Sequence, residues 1–433
     1  MVDVVPFSAL RYNTDKAGPL QELTAPPYDV IRPDMQEALY DKNPYNVVRL
    51  ILGRQYPDDT ETNNRYTRAA ADFREWRASN ILMPDPQPAF YVYRQDYDYE
   101  GRRIQRAGLF ARVRLEEFST GNICPHEFTL SKAKQDRARL IRACRANFSA
   151  VFGLYSDPRH HVDAHLDEVM RSAPLGEVTD EGVENRLWRL TDPDVQESIR
   201  RHFADKKVYI ADGHHRYETA LAYYREHGKE VPGAAWVLMF LTNLDAEGLV
   251  IYPIHRQVKA REPLDSARFC SRLEPYFDLE SLPPGLPMES LQARLAGAGK
   301  EGVAFAAWFQ DGQGVMMRLK SVDAVKPFMA PEDPEELKVL GVYQLHTLVL
   351  NHLMGIDTRT PEGQQHMNYN VRAAEAREQV EAEAGQYDVV FFLNPTPMEQ
   401  VRRLAERGIR LPQKATYFYP KLLSGLVINP FEP

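Results

Sequence analysis

Cysteine is scarce: Cys124, Cys144 and Cys270 are the only three in 433 residues, and no two of them form a CxxC pair. A disulfide framework and a cysteine-rich zinc site are excluded on that count, and the usage fits a reducing cytoplasm. Long apolar runs are missing as well. Stretches such as Ala234 to Leu241 fall far short of the ~20 residues that cross a bilayer. The opening Met1-Val-Asp-Val-Val-Pro-Phe7 has neither the charged start nor the apolar core of a signal peptide. A soluble, intracellular protein with no membrane partner is expected. There is no basic excess either. Lys and Arg number 53 against 61 Asp and Glu, a net charge of −8, which argues against a dedicated nucleic-acid binder. Internal repeats, low-complexity tracts, a Walker loop, a GxSxG elbow and a kinase signature are also absent.

What is present is enough for a substantial core: 43% of the residues are apolar and 26% charged. At roughly 100–200 residues per domain, the length predicts two or three units. Proline and glycine increase near 260–300, so the expected division is an N-terminal α+β unit over 1–260 and a C-terminal α/β unit over 261–433. Helical spacing of Tyr66, Ala70, Phe73 and Trp76 predicts a helix over about 61–79. Hairpins are expected at three places: Phe90–Gln95 with Ile104–Leu115, Ala235–Thr242 with Leu249–Ile254, and Val303–Phe309 with Val315–Leu319. Beyond that the chain is expected to turn helical, with Thr396-Pro397-Met398-Glu399 as a capping box. Strands and helices interleave with hairpins, so the fold class is α+β with a mixed sheet and packed helices.

Ser131 to Asn147 reads as a helix with an apolar stripe of Ala133, Leu140, Cys144 and Phe148. Its other faces carry Lys132, Lys134, Arg137, Arg139, Arg142 and Arg145. Such a face is either simply solvated or a meeting place for phosphate or another acidic partner.

The sharpest signal is Tyr209-Ile-Ala-Asp-Gly-His-His-Arg-Tyr-Glu-Thr-Ala220. An apolar strand ends at Asp212-Gly213 and a helix starts at once, running to His227 before Gly228. Gly213 lets a ligand approach the backbone, and the positive end of the new helix favours an anion. His214, His215 and Arg216 add donors at the same spot, and arginine grips phosphate bidentately. The plain alternative is an Asp N-cap followed by two surface histidines. A metal held by His214 and His215 is disfavoured, because adjacent helical positions face different ways. His161 and His165 lie four apart in a segment best explained as a solvated helix. Gly297-Ala-Gly-Lys-Glu-Gly302 matches GxGxxG, but a helix precedes it and a strand follows, the reverse of a dinucleotide fold.

Four segments in order, Pro26-Pro27-Tyr28-Asp29-Val30-Ile31, His126-Glu127, Ala211 to Ala220 and Pro412-Gln-Lys-Ala-Thr-Tyr-Phe-Tyr-Pro-Lys421, resemble the bacterial and archaeal family named domain of unknown function 1015. Gly213 to Ala220 further resembles the arginine box of the ParB and sulfiredoxin superfamily, which binds nucleotide phosphates at a strand-to-helix turn. Val5-Pro6-Phe7 resembles the opening strand of ParB-like domains. Sulfiredoxins have a cysteine where this chain has His214, so sulfinic-acid repair is excluded, and ParB clamps have Glu and Arg where it has His214 and His215. The Asp-Gly-His-His-Arg spelling is similar to that of the free-serine kinases of the superfamily.

The resemblance implies a ParB/sulfiredoxin-like nucleotide-binding core in the N-terminal unit and a phosphotransferase acting on a small hydroxylated metabolite, with serine or phosphoserine foremost. Gly213, His215 and Arg216 would bind the phosphates of ATP or ADP, and Asp212 would hold Mg²⁺. Glu127, beside His126, would take the hydroxyl proton, as a separate glutamate does in the free-serine kinases. Lys414 and Lys421 frame the aromatic segment Tyr417-Phe418-Tyr419-Pro420, and either reach a substrate carboxylate or phosphate or flank an aromatic plug. Two rivals remain: a nucleotide-driven switch of ParB type, and a phosphatase using His214 or His215 as nucleophile or acid. Because the motifs run from Pro26 to Lys421, both halves are expected to contribute to one site.

Overall fold

A computed structural model describes residues 1–129, 131–382 and 385–432. The side chains of 131–133 are not described, so Lys132 on the expected basic face and Ala133 on the expected apolar stripe lie outside the described residues. The chain forms two compact units. The first comprises Met1–Pro125, Thr129–Val250 and Phe418–Pro433; the second comprises His126–Phe128 and Ile251–Tyr417. The class is α+β with a mixed sheet.

The large sheet of the first unit has nine strands: β1 (Val4–Val5), β2 (Phe90–Tyr99), β3 (Arg102–Arg114), β4 (Ile123–Cys124), β5 (Val151–Tyr155), β6 (Gly176–Asp180), β7 (Val183–Leu190), β8 (Val208–Asp212) and β9 (Trp236–Asn243). Their order is β4-β8-β5-β9-β3-β2-β7-β6, with β1 also on β3. The β4/β8 and β5/β9 pairs are parallel. The β2–β3 hairpin forms as expected but is longer. It pairs from Tyr91↔Phe110 to Tyr99↔Arg102, and Glu100 and Gly101 both take positive φ (49° and 73°), as a two-residue turn between twisted strands requires. The expected hairpin of β9 with the segment after Asp245 does not form. Both edges of β9 are taken, by β3 and by β5.

Alternation gives this sheet two different faces. One carries Phe90, Val92, Leu109, Ala111, Val113, Val151, Tyr155, Val237, Met239 and Leu241 into the main apolar core. The other stacks aromatic rings: Tyr93 lies 5.2 Å from Phe110, Phe240 lies 5.3 Å from Phe110, and Phe152 lies 5.5 Å from Phe240. Three helices bear on the site. Helix α1 (Arg65–Ala78) starts four residues later than expected, because Asn64 is its cap in a reciprocal capping box with Thr67. Helix α2 (Ser131–Cys144) stops short of Asn147, since Arg145 has φ 49° and Ala146–Asn147 pairs with Asn429–Pro430. Helix α3 spans His214–His227.

The second unit is built on an antiparallel sheet of β10 (His255–Val258), β11 (Phe277–Leu282), β12 (Ala304–Phe309), β13 (Gly314–Leu319), β14 (Met367–Asn370) and β15 (Val389–Leu393), ordered β11-β13-β12-β15-β10-β14. Phe305, Ala307, Phe309, Val389, Phe391 and Leu393 face one core, and Ala304, Ala306, Trp308, Val390 and Phe392 face another. With both faces covered, these strands are apolar runs without alternation. That is why β15 was not expected from sequence, where the segment was assigned to helices; β14, a half-buried Met-Asn-Tyr-Asn edge strand, was not expected either. Burying each large side chain is worth ~1.5–3 kcal/mol, and only a central strand buries all five residues of Val389–Leu393. Helix α4 (Met288–Glu301) runs through the GxGxxG match and ends at Gly302, so that match is a helix leading into a strand, as expected. Thr396 is not the cap of α5 (Met398–Glu406): the N-cap is Pro397, and the Thr396 hydroxyl donates to Ala415 O at 2.9 Å. Among the described residues no helix is long and apolar enough to cross a membrane.

Candidate functional site

The site begins with an irregularity in β8. Val208 and Ile210 point into the main core, so strict alternation would send Asp212 there too. The register against β5 slips instead: Ile210 pairs Gly153, but Asp212 pairs Phe152. Ala211 is the extra residue of a β-bulge, which moves Asp212 to the opposite, aromatic face. A carboxylate is thus kept out of apolar surroundings and given to polar partners.

Gly213 follows with φ 87°, a left-handed conformation that side chains disfavour, and it caps α3 without a side chain. The space a Cβ would occupy is taken by Arg216, whose Nε and Cζ would lie 2.8 and 2.9 Å away. One turn into the helix, Arg216 therefore folds back over the glycine. Its Nη2 donates to Asp212 Oδ2 at 2.7 Å and its Nη1 donates to Ala150 O. Lys421 Nζ donates to the other oxygen, Asp212 Oδ1, at 3.0 Å. The Arg216 and Lys421 side chains are only 11% and 12% exposed. One carboxylate is therefore shared by two largely buried cations at the positive end of a helix.

Lys421 reaches this point from the far end of the chain because its neighbours are anchored. Gln95 Nε2 donates to Lys421 O at 3.0 Å, and Arg106 donates to Tyr419 O and Pro420 O. Arg106 is fully buried against the Phe152 ring. Burial pulls it down to about 10, opposed by Tyr97, Tyr93 and Tyr419, so it stays charged at neutral pH. Phe418, fully buried, packs edge-on to Phe152 at 5.8 Å. The aromatic segment is thus a plug, and it also delivers a lysine.

A cavity of about 50 Å³ adjoins Arg216, lined among others by Tyr28, Arg137, Ser149 and Thr219. That is room for one or two waters, and the buried Thr219 Oγ1 has no protein partner among the described residues. The Tyr28 ring lies 3.8 Å from the Arg137 guanidinium carbon. Burial, helped by Asp29, pushes the Tyr28 phenol up to about 12 against the pull of Arg137 and Arg216. Sequence reasoning treated Tyr28 as part of a proline-rich loop and did not single out Thr219. The Pro26-Pro27-Tyr28 spelling was the available signal for the first; the second carried none.

The remaining expected residues are placed as follows. His214 is buried and His215 half-buried on the first turn of α3. His126, Glu127 and Lys414 belong to the second unit. His126 is buried, with Nε2 2.9 Å from Thr416 Oγ1, and its carbonyl accepts from Leu411 N at 2.6 Å. Glu127 is half-buried in a bridge with Leu411, within electrostatic reach of Arg256. Lys414 is exposed at φ 57°, and its carbonyl accepts from Arg256 Nη2 at 2.9 Å. The basic helix is occupied internally. Lys134 pairs with Glu218 at 3.2 Å, Arg142 with Glu226 at 2.7 Å and Arg145 with Glu432 at 2.8 Å. Arg137 is held by Asp136 and Ile51 O, which leaves Arg139 exposed. His161 and His165 both contact Ser198 Oγ, at 3.1 and 3.3 Å. Among the described residues no three His, Cys, Asp or Glu side chains are grouped to hold a metal. The residues at Asp212 do not fit a resident Mg²⁺, because both carboxylate oxygens already face cations and Mg²⁺ needs oxygen ligands there.

An α+β fold with a mixed sheet, in which a bulged strand ends on a glycine and a helix starts among clustered cations, is thus the class to which this molecule belongs. More particularly, the chain belongs to the family described as "Protein of unknown function (DUF1015)", whose model matches residues 4–348. No curated protein matches it. Among solved structures it is similar to a conserved hypothetical protein from Pyrococcus furiosus, at 15% identity over 72% of this chain and 90% of that one, TM-score 0.33. It is similar to a free serine kinase mutant in complex with ADP, at 13% identity over 72% and 87%, TM-score 0.36. It is also similar to SbnI with C-terminal truncation from Staphylococcus aureus, at 10% identity over 73% and 86%, TM-score 0.32.

Proposed function

We propose that the protein is a nucleotide-dependent phosphotransferase acting on a small hydroxylated metabolite, with serine or phosphoserine the leading candidate. The observation that carries this reading is the single Asp212 carboxylate shared by Arg216 and Lys421. Two largely buried cations therefore meet at the start of the helix. The start of α3 adds its positive end, so a phosphate group is favoured there. Arg216 and Lys421 would neutralise charge that develops on the transferred group, with His215 and His214 as further donors. Gly213 keeps the turn open to close approach. ATP or ADP is the nucleotide the motif's resemblance suggests, and no step is assigned to Mg²⁺. The switch reading is weaker, because the basic helix it would offer to a partner spends most of its charge on internal ion pairs.

The test is thermal shift of wild type and Arg216→Ala with ATP, ADP and CTP, followed by turnover with serine. Stabilisation by nucleotide in wild type alone, with phosphoserine formed, is the expected result. No nucleotide response in wild type sinks the reading, and nucleotide binding with hydrolysis but no transfer returns it to the switch.

A further inference from the structure

A second cavity, of about 410 Å³, lies wholly within the second unit, the size of small-molecule pockets in general. Its wall includes a π-helix, Leu345–Leu353, a rare form that concentrates at functional sites. His346 on that helix and Thr358 opposite are 6% and 8% exposed, and both line the cavity. Their hydrogen bonds run in one direction. Buried Arg256 donates from Nε to His346 Nε2 at 3.1 Å, and His346 Nδ1 lies 2.8 Å from Thr358 Oγ1. Burial and the neighbouring Arg256 hold His346 well below its usual value, so it is neutral. Since Nε2 accepts, Nδ1 carries the proton and donates to Thr358. The Thr358 hydroxyl proton then has no protein acceptor among the described residues. The result is a donor backed by a buried cation and aimed at the cavity, which suits a carboxylate.

The other polar wall has the opposite character. The Tyr343 hydroxyl donates to Asp333 Oδ2 at 2.6 Å. Burial and that bond push the phenol up, so it remains a donor. Asp333 Oδ2 also lies 3.8 Å from Arg359 Nη1, whereas Oδ1 takes no donor among the described residues, and Glu332 adds a second carboxylate to the cavity lining. Phe328 and Leu337 supply apolar surface between.

We propose that this cavity binds a free α-amino acid with a large apolar side chain, its carboxylate on Thr358 and its ammonium on Asp333. The site is independent of the phosphotransfer reading. It is tested on the full chain by calorimetry and thermal shift with l-phenylalanine and l-leucine, against 3-phenylpropanoate, which lacks the amine, and phenethylamine, which lacks the carboxylate. The amino acids bind and each one-charge analogue binds about tenfold to a hundredfold more weakly, the range for losing a charge-assisted hydrogen bond. Thr358→Val and Asp333→Asn weaken l-phenylalanine by a similar factor and leave the nucleotide-induced shift of wild type in place. No binding of either amino acid, or equal binding of either analogue, overturns the assignment. The analogue comparison needs only wild type, so it decides even if a variant fails to fold.

Discussion

Helix α2 and the turn at Gly213 both gather cations, and they use them in opposite ways. On the outer face of α2 the cations pair one to one at the surface: Lys134 has Glu218, and Arg142 has Glu226. At the turn, Arg216 and Lys421 both bind Asp212, and their side chains are only 11% and 12% exposed. The α2 pairs are between half-exposed side chains, where solvent and salt leave each pair roughly 0–1 kcal/mol. The turn's cations are about nine-tenths buried, so their attraction is less screened and their charge is felt by whatever enters. A run of basic residues in a sequence therefore reports little about anion binding. What matters is the depth at which the fold holds the cations.

The largest effect is expected at the shared carboxylate. Asp212→Asn leaves two largely buried cations facing a neutral amide, and it should lower stability by about 3 kcal/mol, seen as a lower denaturant midpoint. Added sulfate should then raise the melting temperature of the variant more than that of wild type, because two buried cations have lost a carboxylate that a free anion can replace. Equal sulfate responses would remove the contrast between turn and helix. Next is Lys421→Met, which leaves the Arg216–Asp212 pair intact. It should cost about 1–2 kcal/mol and weaken any nucleotide-induced shift without abolishing it.

The difference between the two regions was only partly legible in the sequence. Composition and the Tyr209–Ala220 pattern were enough for the α+β class, the strand-to-helix turn and the residues on it. They could not place Asp212. Counting by twos from Val208 puts it in the apolar core, and only the bulge at Ala211, visible as the step from Ile210↔Gly153 to Asp212↔Phe152, moves it away. The partnership with Lys421 spans 209 residues and depends on Arg106 and Gln95, both mid-strand residues with no motif around them. The α2 cations were misleading for the converse reason. Their partners, Glu218, Glu226 and Glu432, come from α3 and the chain's end, and local sequence does not record them. Strand β15 was missed because five buried apolar residues in a row have no period.

Acid sharpens the comparison within α2 itself. Burial raises the Asp136 carboxyl, but the charges of Arg137 and Arg65 and the Tyr66 hydroxyl outweigh it, and its net displacement is downward. A carboxyl lowered on folding stabilises the folded state above its unfolded value, about 3.9, and loses that contribution as pH falls through the lowered one. Wild type should therefore exceed Asp136→Asn by about 2 kcal/mol from pH 7 to pH 5, and the gap should close below about pH 4. Urea midpoints across that range check it, and a gap that persists at pH 2 would remove the charge explanation.

The smallest effect belongs to the surface pairs. Arg142→Ala removes a pair whose side chains are 53% and 50% exposed. The expected loss is at most about 0.5–1 kcal/mol, diminishing further in 0.5 M salt as screening shortens the reach of exposed charges. Nucleotide response should be unchanged, since this cation has its own carboxylate and none to spare for a ligand. Were Arg142→Ala to reduce a nucleotide-induced shift as much as Arg216→Ala does, burial of the cation would not be what separates the two regions, and the helix would have to be counted as part of the anion field after all.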